Sequence, residues 1–343
     1  MNQNKNIIVS LLVLIAGTGG CKSLVPHRSI APSLIEQRSR GILLAALAGQ
    51  NPVLKVHALE SLAIIPRLNV IPEMRRCLYD PIPAVRFAGA IAAGDMQDYP
   101  SRDFLRRLLQ DQNVSVQLAA GYGLEKLGEK EFKDWYDNVL FSNDAKLAGQ
   151  ACMLLGKLGN TPERQDSREK LWYVFRMPNQ SAAVQLQAAE ALARLGDKSV
   201  LKRLLVFASS IYADDRILAI SGLQHIGGPD VYAQLTVLAE DIQPEVCLAA
   251  IRALGSRAEE DQQKKVRMYL RYQAPDGDRM ATRRVRELAL LAVGSIGTDR
   301  DIRMLYDFMG ESSESNYLKV AAARACLDYL KTRRPETLAQ HQP

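Results

Sequence analysis

The chain has 343 residues, 47% of them apolar and 24% charged, with a formal net charge of +6. That apolar share is too high for a disordered chain, and five cysteines are too few for a disulfide scaffold. The length alone suggests about two domains, and the modest positive charge does not by itself mark a nucleic-acid binder.

The first twenty residues read as a secretory signal, residues 1–20. Lys5 precedes a mostly apolar run, Ile7–Ala16, which is too short to span a membrane in the mature protein. Small residues then lead to Cys21. Thr18-Gly19-Gly20-Cys21 resembles the bacterial lipobox, with Thr18 where Leu is usual. The resemblance implies a lipoprotein whose first mature residue, Cys21, carries lipid. Several acyl chains would then hold it on a membrane surface, because one chain binds only marginally. Lys22 in place of Asp favours the outer membrane, facing the periplasm. The alternative is an ordinary signal peptide with a coincidental cysteine. Residues 21–32 are expected to be a lipid-anchored linker.

Beyond the linker the chain repeats. "SVQLAAGYGLEKLG" (115–128) and "AVQLQAAEALARLG" (183–196) share Val, small residues, Leu and Gly at matched offsets. Taking the central small residue as an anchor gives Ala58, Gly89, Ala120, Ala151, Ala188, Ala219, Ala250, Ala289 and Ala322. Five of the eight steps between them are 31 residues. Four before the anchor stand apolar residues such as Val85, Val116 and Val246, with Asp215 the exception. Three after it is nearly always small, with Leu154 the exception. These offsets make one face of a helix. Gly128, Gly159, Gly196, Gly227 and Gly297 stand where a helix would end on glycine. A second apolar-periodic run precedes each such helix. Between the two stands a turn former: Asp80, Asp111, Ser142, Asn179, Ser210, Asp241 or Ser313. The unit is helix, turn, helix.

"DPIPAVRFAGAIAAG" (80–94) resembles the short HEAT-like repeats, the class also named after phycobilisome lyase subunits. The resemblance covers residues 33–331. It implies an all-α, right-handed α-α superhelix (solenoid) of about nine helix-turn-helix repeats, with the second helices lining the concave side. Spaced at helix-packing distances, an open stack of that kind is roughly 80–90 Å long. The basic residue that usually follows Val is replaced by Gln117, Ala148, Gln185 and Cys247, so a ladder of Asp–Arg contacts is in doubt through the middle. Two longer loops, 160–167 and 273–280, interrupt the stack, and residues 332–343 are expected to be a disordered tail.

Chemistry is sparse. Cys77, Cys152, Cys247 and Cys326 lie in separate repeats and form no C-x-x-C pair. They read as buried thiols, which sits awkwardly with an oxidising compartment. Deoxyhypusine hydroxylases bind iron through His-Glu pairs in such repeats, but here His57 and Glu60 face no second pair. Trp135 and Trp172 fall in first helices, away from where a HEAT-like DNA glycosylase would need aromatic contacts. No phosphate loop or nucleophile motif occurs. No catalytic residue, metal ligand or cofactor site is expected, and the chain reads as a non-enzyme. A late basic cluster, Lys264, Lys265, Arg267, Arg271, Arg279, Arg283, Arg284 and Arg286, is interleaved with acids and reads as a solvated face. Nucleic-acid binding through it is disfavoured.

One column departs from the resembled pattern. Residues two before and two after the anchor point away from the core, yet several are apolar. Phe87, Ile91, Leu118, Tyr122 and Met153 are the candidate partner-binding residues, a stripe on the concave face. The alternative is that they pack under the inter-helix turn or against the next repeat. The resulting expectation is a protein-binding scaffold at the cell envelope. An accessory subunit of an enzyme or cofactor-handling complex is the alternative, by analogy with the lyase subunits.

Overall fold

The computed structural model describes residues 30–62, 70–129, 135–159 and 165–333. The signal, the lipobox with Cys21 and residues 334–343 lie outside them. Among the described residues every regular element is helical, and the helices come in nine pairs. The first five pairs are α1 (Pro32–Ala48) with α2 (Pro52–Leu62), α3 (Ile71–Cys77) with α4 (Pro83–Asp95), α5 (Arg102–Leu108) with α6 (Val114–Lys126), α7 (Asp137–Leu140) with α8 (Ala145–Leu158), and α9 (Gln165–Arg176) with α10 (Ala182–Arg194). The rest are α11 (Leu201–Phe207) with α12 (Ala213–Ile226), α13 (Pro229–Leu238) with α14 (Pro244–Leu254), α15 (Glu260–Tyr269) with α16 (Arg279–Ile296), and α17 (Asp299–Phe308) with α18 (Asn316–Arg333). Loop 160–167 is shorter than the sequence suggests, because α9 already begins at Gln165, and α18 runs into the expected tail as far as Arg333. No helix among the described residues is long and apolar enough to cross a membrane.

Local chemistry sets the boundaries. Asn113, Asp144 and Ser181 cap α6, α8 and α10 by accepting backbone N–H bonds from the first turn. Proline opens α4 and α14, where its missing N–H costs nothing. The five glycines that follow the second helices all take positive φ, from +64° to +93°. Asp80, Asp111 and Asp241 each accept a bond from the backbone N–H two residues on, which folds the turn between the paired helices. The Asp215 exception is also explained: its carboxylate accepts from Ser210 Oγ at 2.8 Å, a polar bond in place of an apolar contact.

Each second helix packs on the next. The small residues let their backbones touch: a Cβ on Gly94 would lie 2.8 Å from Gly123 Cα, and one on Gly156 would lie 2.9 Å from Ala191. The ladder exists, with gaps where the sequence lost its cation. Lys55 pairs with Asp80 at 2.6 Å, Arg86 with Asp111 at 2.7 Å, Arg216 with Asp241 at 2.8 Å and Arg286 with Glu314 at 2.9 Å. At the gaps, Gln117, Gln185 and Cys247 instead bond carbonyls of the preceding turn. The thiols of Cys77, Cys152, Cys247 and Cys326 are free and buried. Burial pushes Cys77 up to about 11 and Cys152 and Cys326 up to about 12, so they stay protonated and unreactive.

The stack is not the open rod of roughly 80–90 Å that packing distances suggested. Its ends meet. α18 packs on both α1 and α2. Arg38 donates to the Tyr306 carbonyl at 2.8 Å and lies 3.7 Å over the Tyr306 ring. Asn51 donates to Tyr317 Oη at 2.6 Å, and Arg324 donates to the Glu60 carbonyl at 3.1 Å. The second helices approach closely at the α4–α6, α8–α10 and α16–α18 steps, which draws them together on the inner side. Nine steps, at about 40° each, complete a ring with the second helices facing its centre.

Candidate functional site

Ring closure turns the concave side into a lumen. On its wall lies a cavity of about 640 Å³, lined by α2, α4, the start of α6, α8, one residue of α10 and one of α18. Phe87, Ile91 and Asp95 succeed one another at one-turn spacing along α4, and Lys146, Gln150, Met153 and Lys157 form the matching row on α8. Val56 of α2 extends the apolar floor. Arg194 and Arg324 reach in from α10 and α18, and Glu60 lies beside Arg324.

The five sequence-derived candidates divide here. Phe87, Ile91 and Met153 are half-buried and line the cavity. Leu118 and Tyr122 do not: they are 1% and 0% exposed. The reason is the curvature. Lys157 Nζ on α8 reaches Asp95 Oδ2 on α4 at 3.1 Å, bridging over α6 between them. Tyr122, beneath that bridge, donates its hydroxyl to Asp95 and lies 5.9 Å under the Lys157 ammonium. Leu118 is one turn earlier on the same helix and is closed off too. Neither offers a surface to a partner, and the expected stripe narrows to three of its five residues.

The polar half of the site was missed in the sequence. Part of it follows a column six after the anchor, where Asp95, Lys157 and Arg194 line the cavity and Lys126, His225 and Asp328 do not. That position turns toward the same side as the column two after the anchor. Behind Arg194 lies a buried carboxylate, Glu190, 2% exposed. Its Oε1 accepts from Arg194 at 2.6 Å and from Ser221 at 3.1 Å, with His225 Nε2 at 3.5 Å. Burial presses its carboxyl up, but bonds from His225 and Arg194 more than offset this and hold it below the usual range. Glu190 is therefore an ionised anchor for Arg194.

Among the described residues no group of three or more His, Cys, Asp or Glu side chains is placed to hold a metal ion, and His57 and Glu60 share a small cavity with Glu287. The late basic cluster is largely spent within the molecule: Lys264 on Glu260, Lys265 on Glu240, Arg267 on Asp301, Arg284 on Glu245 and Arg286 on Glu314. Trp172 lies on α9 and bonds Asp197, and Trp135 lies just ahead of α7, against Gly121. A separate apolar surface lies outside the lumen. Val206, Val237 and Met268, each 31 residues apart in α11, α13 and α15, are 63%, 66% and 70% exposed. Ile211 and Ile242, in the turns that follow the first two, are 85% and 90% exposed.

Residues 42–125 match the family of HEAT repeats. No curated protein sequence matches the chain. Among solved structures, the chain is similar to human deoxyhypusine hydroxylase in complex with glycerol, at 16% identity over 87% of this chain and 97% of that one, with a TM-score of 0.37. It is similar to the CpcE–CpcF complex of phycocyanin lyase from Nostoc sp., at 18% identity over 76% of this chain and 98% of that one, with a TM-score of 0.40. It is also similar to Kap121p, at 15% identity over 91% of this chain and 39% of that one, with a TM-score of 0.34. These likenesses concern the fold alone. Among the described residues the chain is all-α, built of paired helices, and its residues 42–125 match HEAT repeats.

Proposed function

We propose that the protein is a non-catalytic binding scaffold that holds a segment of a protein partner in its lumen, at the bacterial cell envelope. One observation carries this reading: a cavity of about 640 Å³ with an apolar floor and charged walls, on the inner face of a repeat stack. Its size falls in the range of sites that accept a small ligand or a short peptide stretch. The absence of a convergent set of metal ligands among the described residues fits binding better than metal-assisted catalysis. The envelope location rests on the signal at residues 1–20 and on Cys21.

The test is photo-crosslinking in cells, with a benzophenone amino acid in place of Met153 or, as comparison, Ile242 on the outer surface. A discrete adduct from Met153, lost when Phe87→Ser is added, supports the lumen. Adducts from Ile242 alone would move the interface to the outside of the ring. The location is tested separately with a fatty-acid analogue. Label on the wild type and none on Cys21→Ser supports the anchor, and an unlabelled cytosolic protein removes it.

The accessory-subunit reading keeps one observation in its favour: polar groups from α4, α8, α10 and α18 converge on the same cavity. It predicts a low-molecular-weight ligand copurifying with the chain rather than a protein adduct.

A further inference from the structure

The outer surface of the ring changes character along the chain. The penultimate residue of the first helix is Arg76 in the second pair and Arg107 in the third, both exposed. In the sixth, seventh and eighth pairs it is Val206, Val237 and Met268, each more than half exposed. The residue after the turn former changes in the same way. It is Gln112, Asn143 and Gln180 in the third to fifth pairs, and Ile211 and Ile242 in the sixth and seventh. Tyr212, beside Ile211, is 66% exposed. The fold does not require these apolar residues, because the earlier pairs form without them. Together the six side chains expose on the order of 800 Å², more than the largest apolar patch of a typical monomer and close to one partner's share of a standard interface.

The charges beside this patch match a copy of themselves. One turn-spaced row leads along each helix: Lys198, Lys202 and Val206 into α11, Pro229, Ala233 and Val237 on α13, and Glu260, Lys264 and Met268 on α15. Lys198 and Lys202 are exposed and make no ion pair among the described residues. Glu260 and its neighbour Asp261 are exposed and share one cation, Lys264, at 3.0 and 3.2 Å. The face is thus positive at the start of α11, uncharged along the row on α13 and negative at the start of α15. Glu240, beyond Val237, is held by Lys265 at 2.8 Å. A two-fold axis along α13 lays α11 of one copy on α15 of the other. The lysines then meet the acids twice over, and Ala233 and Val237 meet their own images. An anionic lipid surface suits only the α11 end of that face. We infer that this face binds a second copy of the chain, in an isologous dimer with Val206, Val237, Ile242 and Met268 at its centre and ion pairs at its edge. An apolar centre inside a charged rim is the composition of homodimer interfaces. The face lies on the first helices, away from the lumen, so the dimer does not depend on what the lumen holds.

The test is disulfide trapping in cells on the full chain, co-expressed with two different tags. Ala233→Cys is exposed and lies on the axis, and the chain without it serves as the blank. Mild oxidation should give a product of two chains that carries both tags. Ile242→Asp, at a position 90% exposed in the single chain, should cut that product about tenfold, as loss of one buried anchor of an interface does. Lys198→Glu with Lys202→Glu should cut it too. Adding Glu260→Lys with Asp261→Lys should restore it, because the four changes exchange the two ends of the face. No product with both tags, a product indifferent to Ile242→Asp, or no restoration by the exchange overturns the dimer. Linkage of Ala233→Cys to a protein of another mass assigns the face to a different partner and overturns it as well. So does a benzophenone at Val237 that labels lipid instead of the chain. A dimer adduct at Ile242 leaves the lumen reading untouched, since the Met153 adduct tests that separately.

Discussion

Two helix boundaries in this ring differ in geometry and in chemistry: inside the stack a second helix packs mainly on the next second helix, whereas α18 packs mainly on α1. Between α4 and α6 the backbones touch at Gly94 and Gly123, and Arg86 grips Asp111 through two bonds of 2.7 and 2.8 Å. Where α18 meets α1 and α2, the contacts are Arg38 stacked on Tyr306, Asn51 bonded to Tyr317, and Arg324 bonded to a backbone carbonyl. Lys319, in the ladder column, makes no ion pair among the described residues. Interior boundaries join neighbours in sequence, so forming one costs little chain entropy. The seam joins residues more than 260 apart, as Arg38 and Tyr306 are. In a repeat protein whose stability is a sum over neighbouring interfaces, the seam is the last interface to form and the first to open.

The comparison is broken most severely at the interior boundary. Gly94→Val places methyl groups against the Gly123 backbone, which has no far end to swing away. A loss of about 3 kcal/mol is expected in urea unfolding, from overpacking. A loss under about 1 kcal/mol would mean that α4 and α6 slide apart cheaply, and the inward bend would then need another cause.

Arg86→Ala should cost less, about 2 kcal/mol, because it leaves Asp111 largely buried and half-paired. It also carries a pH signature. The Arg86 bond holds the Asp111 carboxyl below the usual range, against the opposing effect of burial. A depressed carboxyl contributes stability that is present above its ordinary value, near 3.9, and is lost as pH falls through its folded value. Wild type and Arg86→Ala should therefore differ fully at neutral pH and converge in strong acid. A constant difference at every pH would show that lost packing of the arginine stem, not charge, is responsible.

The seam is sharpened by Arg38→Ala combined with Tyr317→Phe. About 1 kcal/mol of global stability is expected to go. The larger change should be local: faster amide exchange in α1 and α18, and a radius of gyration that grows as the ring opens. Equal acceleration in α4 and α6 would contradict the seam as the weakest interface.

These contrasts also show what the sequence could carry. The repeat unit, its nine-fold count and its caps were legible because each depends on residues within one helical turn. Gly128 needs positive φ wherever the repeat lies, and Asp80 folds its turn with its own neighbours. The burial of Tyr122 was not legible. It follows from Lys157 reaching Asp95 across 62 residues, which no local pattern encodes. Ring closure was hidden for a related reason. Small residues such as Gly94, Gly156 and Gly294 bring neighbouring second helices close, and only the sum of all steps over the chain brings Arg38 to Tyr306. Of the cavity, the apolar floor at Phe87, Ile91 and Met153 could be read as a column, because it breaks a pattern. The cations could not, because Lys or Arg near a helix end is ordinary.

The smallest expected effect has the opposite sign and lies at the seam. Glu287 on α16 borders a cavity of about 100 Å³ together with His57 and Ser61 of α2 and Arg324 of α18. Burial raises its carboxyl above the usual glutamate range, while His57 and Arg283 pull it back only in part. A raised carboxyl favours folding when protonated. Its contribution is fully present below the ordinary glutamate value and is lost as pH rises through the folded value. The ionised form thus weighs against folding beside this cavity at neutral pH. Glu287→Gln keeps the shape and removes the charge. Its Tm should match the wild type near pH 4 and exceed it at pH 8, with amide exchange slowed in α2 and α18 rather than in α6. A Tm gain of the same size at both pH values would trace the effect to packing rather than to the Glu287 carboxylate.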